Sequence, residues 1–213
     1  MPNFYAYHMN LSGKNQVDKL LAENQIAIGW SRARGLLNTT LTEEAFNAEL
    51  DAVYDFSTDR ERNRARKECW QFLREMNVGD IVAVKKNNFF HFVRVEGRPR
   101  HHEVDDDTAI RRQIVKLRDD SIHLDNLPEP LRSNLQFRPM SVVRSFLLND
   151  VLAFLGIDPE DAVDQAEALE ADRLLMEATG SYVIPPKDEL IIDRKHADVS
   201  AALYKHLDGK GLR

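Results

Sequence analysis

The sequence holds one cysteine, Cys69, in 213 residues. An internal disulfide is therefore excluded, and a reducing, cytoplasmic setting is expected. No apolar run approaches the roughly 20 residues that a membrane-spanning helix needs. The opening stretch "MPNFYAYHMN" lacks a signal-peptide pattern. Internal repeats and low-complexity linkers are absent. So are a P-loop, a G-x-S-x-G elbow and a Cys–His pair with a credible third member. In the tail, "KDELIIDRKH" carries acids and lysine in the wrong order for a nuclease signature. "RHHEVDDD" (100–107) is rich in metal-ligand types, but consecutive ligands on one loop rarely converge and no second cluster has partner spacing. No catalytic residue, metal or other cofactor is expected. A surplus of positive charge is missing too. The 29 Lys and Arg against 35 Asp and Glu leave a net charge of −6, so any nucleic-acid binding must rest on a local basic patch.

What is present suits a globular chain. At 43% hydrophobic and 30% charged it can bury a sizeable core, as one large or two small domains. "FYAYHM" (4–9) reads as a first strand and "NQVDKLLA" (15–22) as a short helix. "QIAIGW" (25–30) is a second strand that ends abruptly at Gly29-Trp30. Two helices follow. "TEEAFNAELDAVYDF" (42–56) has an acidic first turn, and "DRERNRARKECWQFLREM" (59–76) has an apolar stripe near its end. Residues 77–80 form a turn. "DIVAVKK" and "FFHFVRVEG" alternate on either side of Asn87-Asn88, a hairpin signal. "AIRRQIVKL" (109–117) is a further strand. After three prolines in "LPEPLRSNLQFRPMSVVR", "SVVR" closes the sheet. From Ser145 the character turns helical: "SFLLNDVLAFLG", "DPEDAVDQAEALEADRLLMEA" and finally "DVSAALYKHL", with "YVIPPKDELIID" extended between them.

This order of pieces resembles the PUA superfamily, and within it the EVE-like domains that accompany modification-dependent restriction endonucleases. The resemblance rests on "IAIGWS", the helical insert, "CWQFLREMNVGDIVAVKK" with its M-x-x-G-D turn, "FHFVRVEG", "AIRRQIVKL" and "LRSNLQFRPMSVVR". It covers about residues 3–145. The chain departs from the family at "FFHFVRVEGRPRHHEVDDD", where charged residues replace the usual glycines and aromatics. The resemblance implies an α+β fold: a small curved sheet or partly closed β-barrel with inserted helices over residues 1–145, followed by a mainly helical region over 146–213. It also implies a nucleic-acid-binding module, part of a restriction or defence system, that holds one modified base in an aromatic pocket. DNA ranks ahead of RNA as partner, and no membrane is expected. The C-terminal region would form a homodimer or dock an effector protein.

Such a pocket needs a stacking aromatic, polar groups that read the base edge, and basic residues for phosphates. Trp30 is the stacking candidate; its alternative is a core tryptophan. Ser31 and Asn10 could read an edge, or simply form turns. Phe90 shares a strand face with Phe92, one set of that strand being core. Lys85, Arg94 and Arg112 lie on the sheet and could meet phosphates. Trp70 reads as core, Cys69 as an inert buried thiol, and the five positive charges of residues 60–67 as a solvated helix face or a basic patch. Two other readings stay open. One is an enzyme subunit, nuclease-like, completed by the C-terminal region. The other is a protein-interaction domain that has kept the fold and lost the pocket.

Overall fold

Strand β1 (Phe4–His8) is buried at four of its five positions, which places it inside a sheet covered on both faces. The computed structural model describes residues 1–9, 11, 16–104, 106–136 and 142–178. Among them the chain runs β1, α1 (Gln16–Ala22), β2 (Gln25–Ile28), α2 (Glu43–Val53), α3 (Asp59–Trp70), β3 (Ile81–Lys86), β4 (Phe89–Val95), β5 (Arg100–His101), β6 (Ile110–Lys116), β7 (Ile122–His123), α4 (Glu129–Gln136), β8 (Val142–Ser145), α5 (Leu148–Leu155) and α6 (Pro159–Ala178). The main strand order is β2-β6-β4-β3-β1-β8, with β5 on β6 and β7 on β4. The sheet curls strongly into a half-barrel, so the fold is the mixed α/β one expected. Asn10 and the segments "YVIPPKDELIID" and "DVSAALYKHL" lie outside the described residues.

Alternation splits the side chains between two cores. Tyr5, Tyr7, Val82, Val84, Val93 and Val95 point to one face, where Leu20, Phe46, Leu50, Cys69 and Phe72 from the inserted helices cover them. Phe4, Ala6, Ile81, Ala83, Phe90 and Phe92 point to the other, under Leu131 and Leu135 of α4, Val151 and Leu152 of α5 and Ala162 of α6. The first compact unit runs from Met1 to Arg173 and the second from Leu174 to Arg213. Every described element after Ser145 is helical.

Local chemistry explains the punctuation. The hairpin between β3 and β4 turns at Asn87, whose φ of 54° suits asparagine better than most residues. Thr42 caps α2 by accepting from the Ala45 N–H at 3.3 Å, even without a glutamate partner. Thr58 caps α3 by accepting from the Glu61 N–H, and Glu61 reaches back to the Ser57 N–H. Helix α3 does not stop at Trp70. It widens into a π-helical turn, Gln71–Glu75, closed by the Met76 N–H on the Gln71 carbonyl at 2.8 Å.

The M-x-x-G-D stretch, Met76 to Asp80, then sets the entry of β3. Gly79 has a φ of 90°. The buried Asp80 carboxylate accepts from the Asn77 N–H at 2.7 Å, which closes the turn, and from the Asn3 N–H at 2.6 Å, which ties it to the start of β1. Burial raises the Asp80 carboxyl above its ordinary value, although these hydrogen bonds pull the other way.

Helix α4 departs from the sequence expectation, which held only loop and strand in "LPEPLRSNLQFRPMSVVR". Pro130 sits in its first turn, where a missing N–H costs nothing, so proline here marks a helix start.

Candidate functional site

Strand β2 stops at Ile28, and the chain bends at Gly29. Trp30 therefore does not continue the Ile26–Ile28 face as a strand residue. Its indole stays half-buried at the margin of the first core. Two aromatics frame it. Tyr54 meets it edge-on, with ring centroids 5.1 Å apart and planes at 88°, and Phe56 lies 5.6 Å away at 57°. The indole N–H points at the carboxylate of Glu68, 3.4 Å distant, and Arg64 Nε donates to the other oxygen of that carboxylate at 2.9 Å. Glu68 is 1% exposed, so a buried charge is compensated by an arginine one helical turn away on its half-exposed side. The Arg32 guanidinium lies over the Tyr54 ring at 4.5 Å, and the Arg32 N–H donates to the Tyr54 hydroxyl at 2.9 Å. Burial raises the pKa of that phenol. The result is three aromatic rings with two arginines attached, at the end of a strand.

Sequence reasoning misses Tyr54, Phe56, Arg32, Arg64 and Glu68 as site residues. The signal is there in part. "VYDF" puts two aromatics just past a helix end, and "WSRAR" puts arginine two residues after the tryptophan.

The other candidates do not gather around Trp30. Ser31 is 2% exposed, and its hydroxyl donates to the Asp106 carbonyl at 3.3 Å, so it pins a loop and cannot read a base edge. Phe90 is 1% exposed in the second core, because alternation puts it beside Phe92 under α4; it is a core residue. Lys85 lies on that same opposite face, its ammonium 5.9 Å from the Phe90 ring. Arg94 donates to Gln165 of α6. Arg112, expected on a phosphate, is 3% exposed. Its guanidinium donates to the carbonyls of Phe72 (2.9 Å), Gly97 (3.1 Å) and Met76 (2.7 Å). The π-helical turn aims two of those carbonyls at it. Asn10 lies outside the described residues.

The run at 60–67 is largely ion-paired, to α2 and within its own helix. Arg62 and Arg66 meet Asp51, and Arg64 meets Glu68. In the "RHHEVDDD" loop, Asp106 is spent on Thr108, accepting from its N–H at 2.8 Å, and on Gln16 at 3.1 Å. Among the described residues no group of three His, Cys, Asp or Glu side chains could hold a metal ion, and no helix is long and apolar enough to cross a membrane.

Cys69 sits fully buried beside Glu68, and burial raises its thiol well above the ordinary range. A thiol so placed is a poor nucleophile. The native protein should resist iodoacetamide under conditions that modify it stoichiometrically in urea, as read by intact mass. Rapid native labelling would contradict the burial.

Fold and site define a mixed α/β protein with a curled half-barrel sheet and an aromatic–arginine cluster where its second strand ends. The chain belongs to the family described as a domain of unknown function, DUF8426, whose sequence model matches residues 7–142. Among curated proteins, none matches the chain.

Proposed function

We propose that the chain is a nucleic-acid-binding module that holds a single base against Trp30. The observation that carries this reading is the release of Trp30 from the sheet at Gly29, into a cluster with Tyr54, Phe56, Arg32 and Arg64. A flat ring at a strand end offers a stacking surface, and arginines beside it suit phosphates. The resemblance to PUA and EVE-like domains supports the same reading. It adds a modified base, a duplex DNA partner and a place in a restriction or defence system. The curled sheet is compatible with that architecture. Five of the residues that the sequence suggests for the site take no part in it, Arg94 among them because it is held by Gln165 of α6. Ser31, Phe90 and Arg112 are buried, and Lys85 is on the opposite face.

The test is a binding panel at fixed salt, since phosphate contacts make affinity salt-dependent. Unmodified, 5-methylcytosine, 5-hydroxymethylcytosine and N6-methyladenine duplexes are compared with matching RNAs. Trp30→Ala should weaken the preferred ligand by about 1–3 kcal/mol, roughly 5- to 150-fold, the worth of one stacked base. Trp30→Phe should recover part of the loss. A folded Trp30→Ala protein with unchanged affinity, or a wild-type protein that binds nothing in the panel, would overturn the proposal.

A further inference from the structure

A second feature lies elsewhere in the molecule and shares no residue with the Trp30 cluster. A cavity of about 190 Å³ opens among the π-helical turn, the start of β3, the Arg98-Pro99 segment and α6. Four arginines line it: Arg74, Arg98, Arg112 and Arg173. Among the described residues, the sole acid in its lining is Glu170. In a chain of net charge −6 this is a local reversal of sign.

The way the cations are held matters more than their number. Arg112 is fixed by three carbonyls, and Arg74 by the carbonyls of Leu36 and Asn38, each at 2.7 Å. Carbonyl oxygens orient a guanidinium without neutralising it. A guanidinium has five N–H groups. Arg112 uses one hydrogen on each of its three nitrogens, which leaves one more on Nη1 and one on Nη2. Glu170 is engaged bidentately by Arg173. The carboxylate that acts on Arg112 is Asp80, which also accepts in the turn. Burial, with Arg98 and Arg74 pushing the same way, brings Arg112 down to about 10. Clustered guanidiniums in a partly desolvated cavity attract an anion, and their planar forks match tetrahedral oxyanions.

We propose that this cavity is a binding site for a phosphate group. Its volume is below the roughly 300 Å³ at which pockets for drug-sized ligands begin. It therefore holds a phosphate and its immediate substituent, whether the phosphate is free or belongs to a nucleotide strand. The proposal does not depend on base recognition at Trp30.

The experiment is calorimetric titration of the full chain with inorganic phosphate, with chloride adjusted to constant ionic strength, and separately with a short single-stranded oligonucleotide. The paired variant Arg98→Gln/Arg173→Gln is the comparison. Arg98 is exposed and Arg173 only partly buried, so the fold should survive, and circular dichroism checks that it does. Saturable phosphate binding, weakened at least tenfold in the variant, is the expected result. If the oligonucleotide binds tighter and phosphate displaces it, the phosphate belongs to a strand; phosphate binding without oligonucleotide binding assigns a free anion. Absence of saturable binding of either probe, or equal binding by the folded variant, would overturn the site. Trp30→Ala should leave phosphate affinity unchanged, which keeps the failure of one proposal distinct from failure of the other.

Discussion

Arg112→Met should destabilise the fold by about 3–5 kcal/mol, the cost of leaving several buried acceptors without a donor. The side chain is 3% exposed and joins its own strand, β6, to the π-helical turn through Phe72 and Met76, and to the end of β4 through Gly97. Methionine fills much of the same volume but donates nothing. Three carbonyls then lose their charged donor inside the protein, at about 1–3 kcal/mol for each group left unsatisfied, less whatever water recovers. Arg112→Lys should rescue little, because one ammonium cannot address three carbonyls in a planar fork. Urea unfolding followed by circular dichroism gives the midpoint and slope. A shift under about 1 kcal/mol for Arg112→Met would mean the guanidinium can be dispensed with.

Gly79→Ala is the second severe substitution, and its cause is steric. The backbone at Gly79 has a φ of 90°, a conformation that side-chain-bearing residues rarely adopt. A Cβ there would lie 2.4 Å from the Ala166 Cβ and 2.8 Å from the Ala166 Cα of α6. The second of these is backbone, so no rotamer change relieves the clash. Strain of about 1–3 kcal/mol and overpacking of about 1–3 kcal/mol act together, for an expected loss of about 2–5 kcal/mol. Because the clash is with α6, the companion Ala166→Gly should return part of the loss by removing the 2.4 Å contact, while the strain and the 2.8 Å contact with the residue 166 Cα stay. Thermal unfolding of the single and double variants measures both parts. A Gly79→Ala protein as stable as wild type would show that the turn and α6 separate easily.

The M-x-x-G-D stretch is legible as a turn from its letters alone, and the fold supplies the reason for each of them. Glycine adopts the positive φ, and aspartate closes the turn while holding Asn3. The strands are legible because alternation is a strong signal in "DIVAVKK" and "FFHFVRVEG". The π-helical turn is not, since nothing in "QFLRE" distinguishes it from an ordinary helix end. Arg112 is within reach of the same alternation. In "AIRRQIVKL" it shares a face with Ile110 and Ile114, both buried, so an inward arginine is written into the period. The usual link between charge and surface masks that signal. Phe90 follows the same rule, as the partner of Phe92. At Trp30 the break at Gly29 is visible in sequence, but the frame around the ring is not. Tyr54, Phe56 and Glu68 come from segments far along the chain, and only tertiary packing brings them together.

The position of β1 also governs the order in which the sheet can be assembled. Phe4 pairs with Ile81 on one side and with Ser145 on the other. The β3–β4 hairpin closes across two residues and can form as soon as it is made. The first strand must wait for both of its neighbours. At roughly 5–20 residues per second, ribosomal synthesis leaves "FYAYH" without a complete set of partners for on the order of ten seconds. Four of those five residues are buried in the finished protein. The apolar segment that ends between β3 and β8 is thus made well before either neighbour and is among the last that the sheet can protect, a topology in which distant pairing slows folding and early chaperone cover has most to offer.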